Sequence, residues 1–232
     1  MTQFRFAPGA RLSARLIGAD HEPLLHAEAA FANPDELVEL AATAIFSPAF
    51  GPAGGYPGLR AALPNEYIQA VVNVLTRPLA EAFALGPIRP ISAQGAFSIV
   101  TLPENALAAP QRAPHVDSVN PMQFAILHYL CDSSFGGTAF YRHRATGFEK
   151  LNESRLPGYN AIRSAEGAPT GYVGDGSPWF EQIGQVSAAM NRLVAYRSCV
   201  LHSGQIPSPE LLTENPRHGR LTANVFVTFA PA

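Results

Sequence analysis

From Gly86 onward the chain is a succession of short β-branched and aromatic runs broken by turns, with no helical pattern between them. This constrains its fold more than any other feature. The runs are Ile91 to Leu102, Met122 to Leu130, Thr138 to Arg142, Arg192 to Tyr196 and Arg220 to Phe229, and each has the composition and length of a strand. Helical patterning is confined to the first third of the chain. Helices followed by short strands exclude repeated βαβ units and predict a mainly β domain, an antiparallel barrel or sandwich with helices against it.

The first third is read in detail as follows. Leu24 to Phe31 reads as a strand. Asn33-Pro34-Asp35-Glu36 opens a helix, with Asn as cap, Pro at the first helical position and acids in the first turn; it runs to about Ile45. Ser47 to Pro64, dense in Pro and Gly, is expected to be irregular. A second helix, about Glu66 to Leu85, carries Ile68, Val71, Val72, Leu75, Leu79 and Phe83 at helical spacing, with a kink expected at Pro78. Between Arg144 and Arg192 lies a long segment without clear pattern, the kind of loop that usually has a function. The expected organisation is one domain, 1–232. Residues 1–90 form helical support and 91–232 form the β core, with an insertion at 145–190.

Composition narrows the partners. A net charge of −2 with no Lys/Arg run points away from nucleic acid and from anionic membranes. No apolar run approaches the ~20 residues that span a bilayer. Met1 to Gly18 lacks the apolar core of a signal peptide, so the expectation is cytoplasmic. Two cysteines, Cys131 and Cys199, are too few for a disulfide framework or a thiolate zinc cage, and both read as buried free thiols.

The chemistry is concentrated in Pro114-His115-Val116-Asp117. In an extended segment, residues two apart point to the same side, so His115 and Asp117 present an imidazole and a carboxylate to one point. A third ligand from a distant strand would complete a 2-His-1-carboxylate face, the mark of non-haem Fe(II) oxygenases. Leu201-His202-Ser203 follows the strand Arg192 to Tyr196. Arg220-Leu221-Thr222 then opens the last strand, with Arg220 and Thr222 on one face as a cradle for a carboxylate. No His-Glu-x-x-His, phosphate-binding Gly-x-x-x-x-Gly-Lys or Gly-x-Ser-x-Gly element is present. His21, His26, His128, His143 and His218 read as packed or surface residues, and His128 faces away from Tyr129.

Together these pieces resemble the Fe(II)/2-oxoglutarate-dependent dioxygenases, in particular a bacterial subgroup of the prolyl-4-hydroxylase-like branch. His115-Val116-Asp117 resembles the first ligand pair. Ile126-Leu127-His128-Tyr129-Leu130 followed by Gly136-Gly137-Thr138-Ala139-Phe140 resembles the strand–turn–strand. His202 and Arg220 to Phe226 resemble the second histidine and the arginine strand. The resemblance implies a double-stranded β-helix (jelly roll) with N-terminal helices packed on one sheet. It implies Fe(II) held by His115, Asp117 and His202, and 2-oxoglutarate held by Arg220, Tyr129 and Thr222. O2 is consumed to oxidise, most simply to hydroxylate, a small-molecule or amino-acid-type substrate. The arginine follows the second histidine by 18 residues where the family tends to have about ten, so Arg217 stands as the alternative. Arg60, Arg142 and Trp179 are candidate substrate residues, and Arg144 is a further basic one. Residues 145–190, with Ser47 to Arg60, are expected to wall or cover the site. The rival readings are a cupin-like metalloenzyme that does not use 2-oxoglutarate, which would not need Arg220 or Tyr129, and a non-catalytic metal-binding barrel. The sequence does not set the oligomeric state.

Overall fold

The computed structural model describes residues 4–51, 54–167 and 169–232. Met1 to Gln3, and Pro52, Ala53 and Ala168 within the two proposed wall segments, lie outside them. Among the described residues, eleven strands form two sheets. In the larger the order is β1-β2-β9-β6-β11-β5-β4-β3, formed by β1 (Arg11–Ile17), β2 (Glu22–Glu28), β3 (Ser47–Gly51), β4 (Gly54–Ala62), β5 (Ile88–Val100), β6 (Gln123–Tyr129), β9 (Arg192–Arg197) and β11 (Arg220–Pro231). The smaller is β10-β7-β8, formed by β7 (Gly137–His143), β8 (Phe180–Ser187) and β10 (His202–Gln205). All pairings are antiparallel, and the fold is a jelly roll with helices against the large sheet.

The alternation of β11 shows how the sequence builds both sides of that sheet. Leu221, Ala223, Val225 and Val227 join the core beneath helices α1 (Pro34–Thr43) and α2 (Asn65–Ala82). Arg220, Thr222, Asn224 and Phe226 point the other way, into a cavity. On β6, His128 faces the helices and is stacked on Tyr67, whereas Tyr129 joins the core between the sheets. Tyr67, Ile68, Val71, Val72, Leu75 and Leu79 form the buried stripe of α2, which docks on β5 and β11.

Several expectations from the sequence need correction. Within Ser47 to Pro64, β3 and β4 pair antiparallel, with Ser47 opposite Arg60. The segment's prolines concealed this pairing, yet Pro48 is tolerated because β3 is an edge strand. Gly58 is required because a Cβ there would lie 2.0 Å from the Ile99 carbonyl oxygen of β5. The first 90 residues, expected as helical support, therefore also supply β1 to β4. Helix α1 stops at Thr43, before Ile45, because Ala44 is already extended toward β3, and Asn33 makes no capping hydrogen bond. Its amide instead donates to Glu36 at 3.3 Å. Helix α2 continues through Pro78 to Ala82. The insertion contains α3 (Leu156–Arg163) and β8, and Leu151, Tyr159, Val173 and Trp179 pack with Tyr141 and Phe180 of the small sheet. Among the described residues, no helix is long and apolar enough to cross a membrane.

Candidate metal and cosubstrate site

Strand pairing alone brings the predicted ligands together. His115 and His202 exchange both backbone hydrogen bonds at 2.9 Å, and the amide of Asp117 donates to Ser198 at 2.9 Å. His115 and Asp117 are thus held in extended conformation on one side, with Val116 packed among apolar residues beside the small sheet. One ligand atom from each of His115, Asp117 and His202 lies within 4.8 Å of the others. Nε2 of His202 is 3.4 Å and Nε2 of His115 is 3.8 Å from the Asp117 carboxylate.

The protonation pattern suits a cation. Nδ1 of His202 donates to the Val200 carbonyl at 2.9 Å, which leaves Nε2 as a lone-pair donor toward Asp117. The His115 ring is surrounded by protein although half of its side chain opens onto the cavity. Burial pushes its pKa down to about 4 and repulsion from His202 adds to this, against opposition from Asp117 and a hydrogen bond to the Ala113 backbone. The His115 imidazole can therefore offer a lone pair at neutral pH. Two imidazoles and a carboxylate converging on a cavity form a donor set that fits Fe(II).

The cavity, of about 390 Å3, runs from this triad to Arg220 and is also lined by Tyr56, Arg60, Thr138, Tyr172, Tyr196, Thr222, Asn224 and Phe226. Arg220 is buried. Its Nε donates to the Phe135 carbonyl at 3.0 Å and its Nη2 to the Gly137 carbonyl at 2.6 Å. These bonds aim the guanidinium, and Nη1 has no hydrogen-bond partner among the described residues. Gly204 leaves room beside it, since a Cβ there would stand 3.5 Å from Nη2. Tyr129 is buried and bonded through its hydroxyl to Thr138 at 2.6 Å. Burial raises its pKa while Arg220 opposes the rise, so it remains a neutral phenol.

The other candidates separate clearly. Arg60 lines the cavity, with its guanidinium 4.9 Å from the centre of the Tyr56 ring. Arg142 is held elsewhere by Glu149 (2.8 Å) and Glu181 (3.0 Å). Trp179 packs beside the small sheet under Arg163, and Arg144 is exposed. None of these three lines the cavity. Arg217 is exposed, paired with Glu39 of α1 at 2.6 Å, and does not line the cavity. Of the insertion, Tyr172 reaches the cavity wall, its hydroxyl donating to the Leu102 carbonyl at 2.8 Å. Reading the sequence missed Tyr56, Asn224 and Tyr172 as cavity residues. Asn224 could have been found by extending the Arg220–Thr222 alternation by one step; Tyr56 lay in a strand that its prolines concealed.

Residues 8–227 match the model of a family of unknown function (DUF6445). No curated protein matches the chain. Several solved structures are similar to it, among them two covered over most of their length. The crystal structure of HygX from Streptomyces hygroscopicus, with nickel, 2-oxoglutarate and hygromycin B bound, is 14% identical, with 92% of this chain and 84% of that one covered and a TM-score of 0.50. The crystal structure of the non-heme alpha ketoglutarate dependent epimerase SnoN from nogalamycin biosynthesis is 17% identical, with 91% and 78% covered and a TM-score of 0.49.

Proposed function

The chain belongs to DUF6445, a family of unknown function, and we propose that it is a non-haem Fe(II) and 2-oxoglutarate-dependent oxygenase acting on a small-molecule or amino-acid-type substrate. The observation that carries this reading is a single cavity with His115, Asp117 and His202 on one side and the buried, cavity-facing Arg220 on another. The jelly-roll relative crystallised with nickel and 2-oxoglutarate supports the same use of the fold. His115-Val116-Asp117, His202 and Arg220 favour placement beside the prolyl-4-hydroxylase-like enzymes. When bound, Fe(II) with 2-oxoglutarate and O2 supplies the oxidising power to attack a C–H bond.

The chain's own residues bind and orient. Arg220 receives the far carboxylate of 2-oxoglutarate on Nη1 because Phe135 and Gly137 fix its other edge. Thr222, beside it on the same face, offers a hydroxyl whose present contact is a long 3.4 Å bond to the Ser98 carbonyl. Tyr129 acts from behind: with Thr138 it forms a neutral hydroxyl pair near the guanidinium. Tyr172 and Phe226 line the cavity and limit water around the reacting centre. The test is succinate release by Fe(II)-loaded protein in air with 2-oxoglutarate, compared with His202→Ala. Iron-dependent succinate that disappears in the variant is expected; no iron-dependent succinate from the parent protein refutes the reading.

A further inference from the structure

We infer that Arg60 is the anchor of a separate substrate subsite, and that the substrate is a small monocarboxylate whose carboxylate pairs with this guanidinium beside the metal face. The inference rests on the proposed function and deepens it.

Register puts the subsite on the page. Arg60 of β4 pairs with Ser98 of β5, Ser98 with Thr222 of β11, and Thr222 with Tyr129 of β6. These four polar side chains therefore form one row across the face of the large sheet that looks toward the small sheet. Polar atoms of this face are left unsatisfied. Arg60 Nε and Asn224 Oδ1 line the cavity and are buried without a hydrogen-bond partner among the described residues. The Tyr56 hydroxyl beside them has only a weak contact with Thr222. Buried polar atoms are normally paired, and orphans that open onto a cavity mark a place made for a polar ligand.

Charge selects its class. Of the cavity's charged side chains, Asp117 faces two imidazoles and Arg220 is tied to two carbonyls. Arg60 has no ion pair or hydrogen bond among the described residues and only the Tyr56 ring against it. Two guanidiniums and a divalent ion against one carboxylate leave the lined cavity three charges positive. The 2-oxoglutarate dianion cancels two of these, and a monoanion on Arg60 cancels the last. A charge enclosed in protein needs such a partner. Arg60 lines the same cavity as His115, Asp117 and His202, so a group held on it shares that space with the metal ligands. One arginine with neutral hydroxyls, and no lysine among the lining residues, suits a carboxylate better than a phosphate. The cavity volume is at the small end for ligand pockets, which suits a small molecule and not a polypeptide segment.

The test uses full-length protein loaded with Zn(II) and saturated with 2-oxoglutarate, titrated in a calorimeter with butyrate, benzoate and phenylacetate and with their neutral amides. The expected result is that at least one acid binds and its amide does not. Arg60→Gln should weaken that acid by about 10- to 100-fold, the loss of one charge-assisted hydrogen bond, while Arg60→Lys retains the preference for acid over amide. Affinity for 2-oxoglutarate should change less than about twofold in both variants, as for a residue outside the cosubstrate pocket. Equal binding of acid and amide, no binding of any acid at millimolar concentration, or an Arg60→Gln affinity equal to the parent's overturns the subsite. A large loss of 2-oxoglutarate affinity in Arg60→Gln also overturns it, by moving Arg60 into the cosubstrate pocket. Failure of the parent protein to bind 2-oxoglutarate with Zn(II) refutes the proposed function instead, and is seen in the first titration before any monocarboxylate is added.

Discussion

His128 should make the fold acid-sensitive in a window that the structure defines. The side chain is fully buried. The Tyr67 hydroxyl is 2.9 Å from Nδ1, and Nε2 is 3.0 Å from Asn191 Oδ1. Nε2 donates to the amide oxygen, so Nδ1 of the neutral ring accepts from the phenol. Asn191 Oδ1 also accepts from the Phe31 amide at 2.9 Å, and its Nδ2 donates to the Phe31 carbonyl at 2.8 Å. One imidazole thus joins α2, β6, the turn before β9 and the segment after β2. Burial pushes its pKa down to about 4, with the Asn191 contact opposing. The unfolded chain takes up a proton near pH 6.5 and the folded chain does not until about pH 4. Stability is therefore complete above about pH 6.5, falls as pH drops through that window, and levels off below about pH 4. At 1.36 kcal/mol per pH unit the loss is about 2 kcal/mol at pH 5 and about 3 kcal/mol at its limit. His115 is depressed in the same direction, so the parent protein alone does not isolate His128. Urea unfolding near pH 7.5 and pH 5 should be compared for the metal-free parent and His128→Gln, whose side chain can still both donate and accept. The variant should lose about 2 kcal/mol less than the parent between the two pH values. Equal losses would refute the idea that this imidazole is held neutral.

Other predictions follow from the site and the sheets. Calorimetry should show about one Fe(II) bound per chain, lost in His115→Ala or His202→Ala while the circular dichroism of the barrel is retained, because the ligands sit on paired backbone and not in a core. Arg220→Leu should weaken 2-oxoglutarate binding by about 2–5 kcal/mol, the effect of stranding a buried carboxylate, whereas Arg217→Leu should leave it unchanged; the opposite order would show that the assigned arginine is wrong. Tyr129→Phe should cost about 1 kcal/mol in thermal stability through the lost Thr138 contact, with a smaller effect on 2-oxoglutarate than Arg220→Leu. Gly58→Ala should lower the melting temperature sharply, by well over 2 kcal/mol of stability, since its methyl would meet backbone and not a movable side chain.

What was legible in the sequence was what alternation encodes. His115 and Asp117 share a side because they are two apart in extended chain. His128 and Tyr129 oppose each other for the same reason, and Arg220 and Thr222 face one cavity along β11. The elements that escaped reading lack that signature. β1 is an edge strand with mostly exposed residues, β3 and β4 carry prolines, and β8 is an eight-residue strand with Gly184 and two glutamines. Arg142 and Trp179 were misplaced because spacing gives a side of the chain but not a partner. Glu149 and Glu181 capture the arginine, and Arg163 covers the indole. Arg60 was a candidate from its place in the Ser47 to Arg60 segment alone; its register in β4 was invisible before the fold.

β11 also says how such a protein can change. Its odd-numbered residues from Leu221 to Val227 hold the helices, and its even-numbered residues from Arg220 to Phe226 face the cavity. Point substitutions on the even positions can alter what is bound without disturbing what keeps the helices docked, so the two properties are free to vary separately. A single-residue insertion or deletion at the start of the strand has no such freedom. It would turn Arg220 toward the helices and a core leucine toward the cavity, and both properties would be lost together. Length variation in this chain is therefore tolerable before Gly219, in the loop that separates Arg220 from His202, and forbidden one step later.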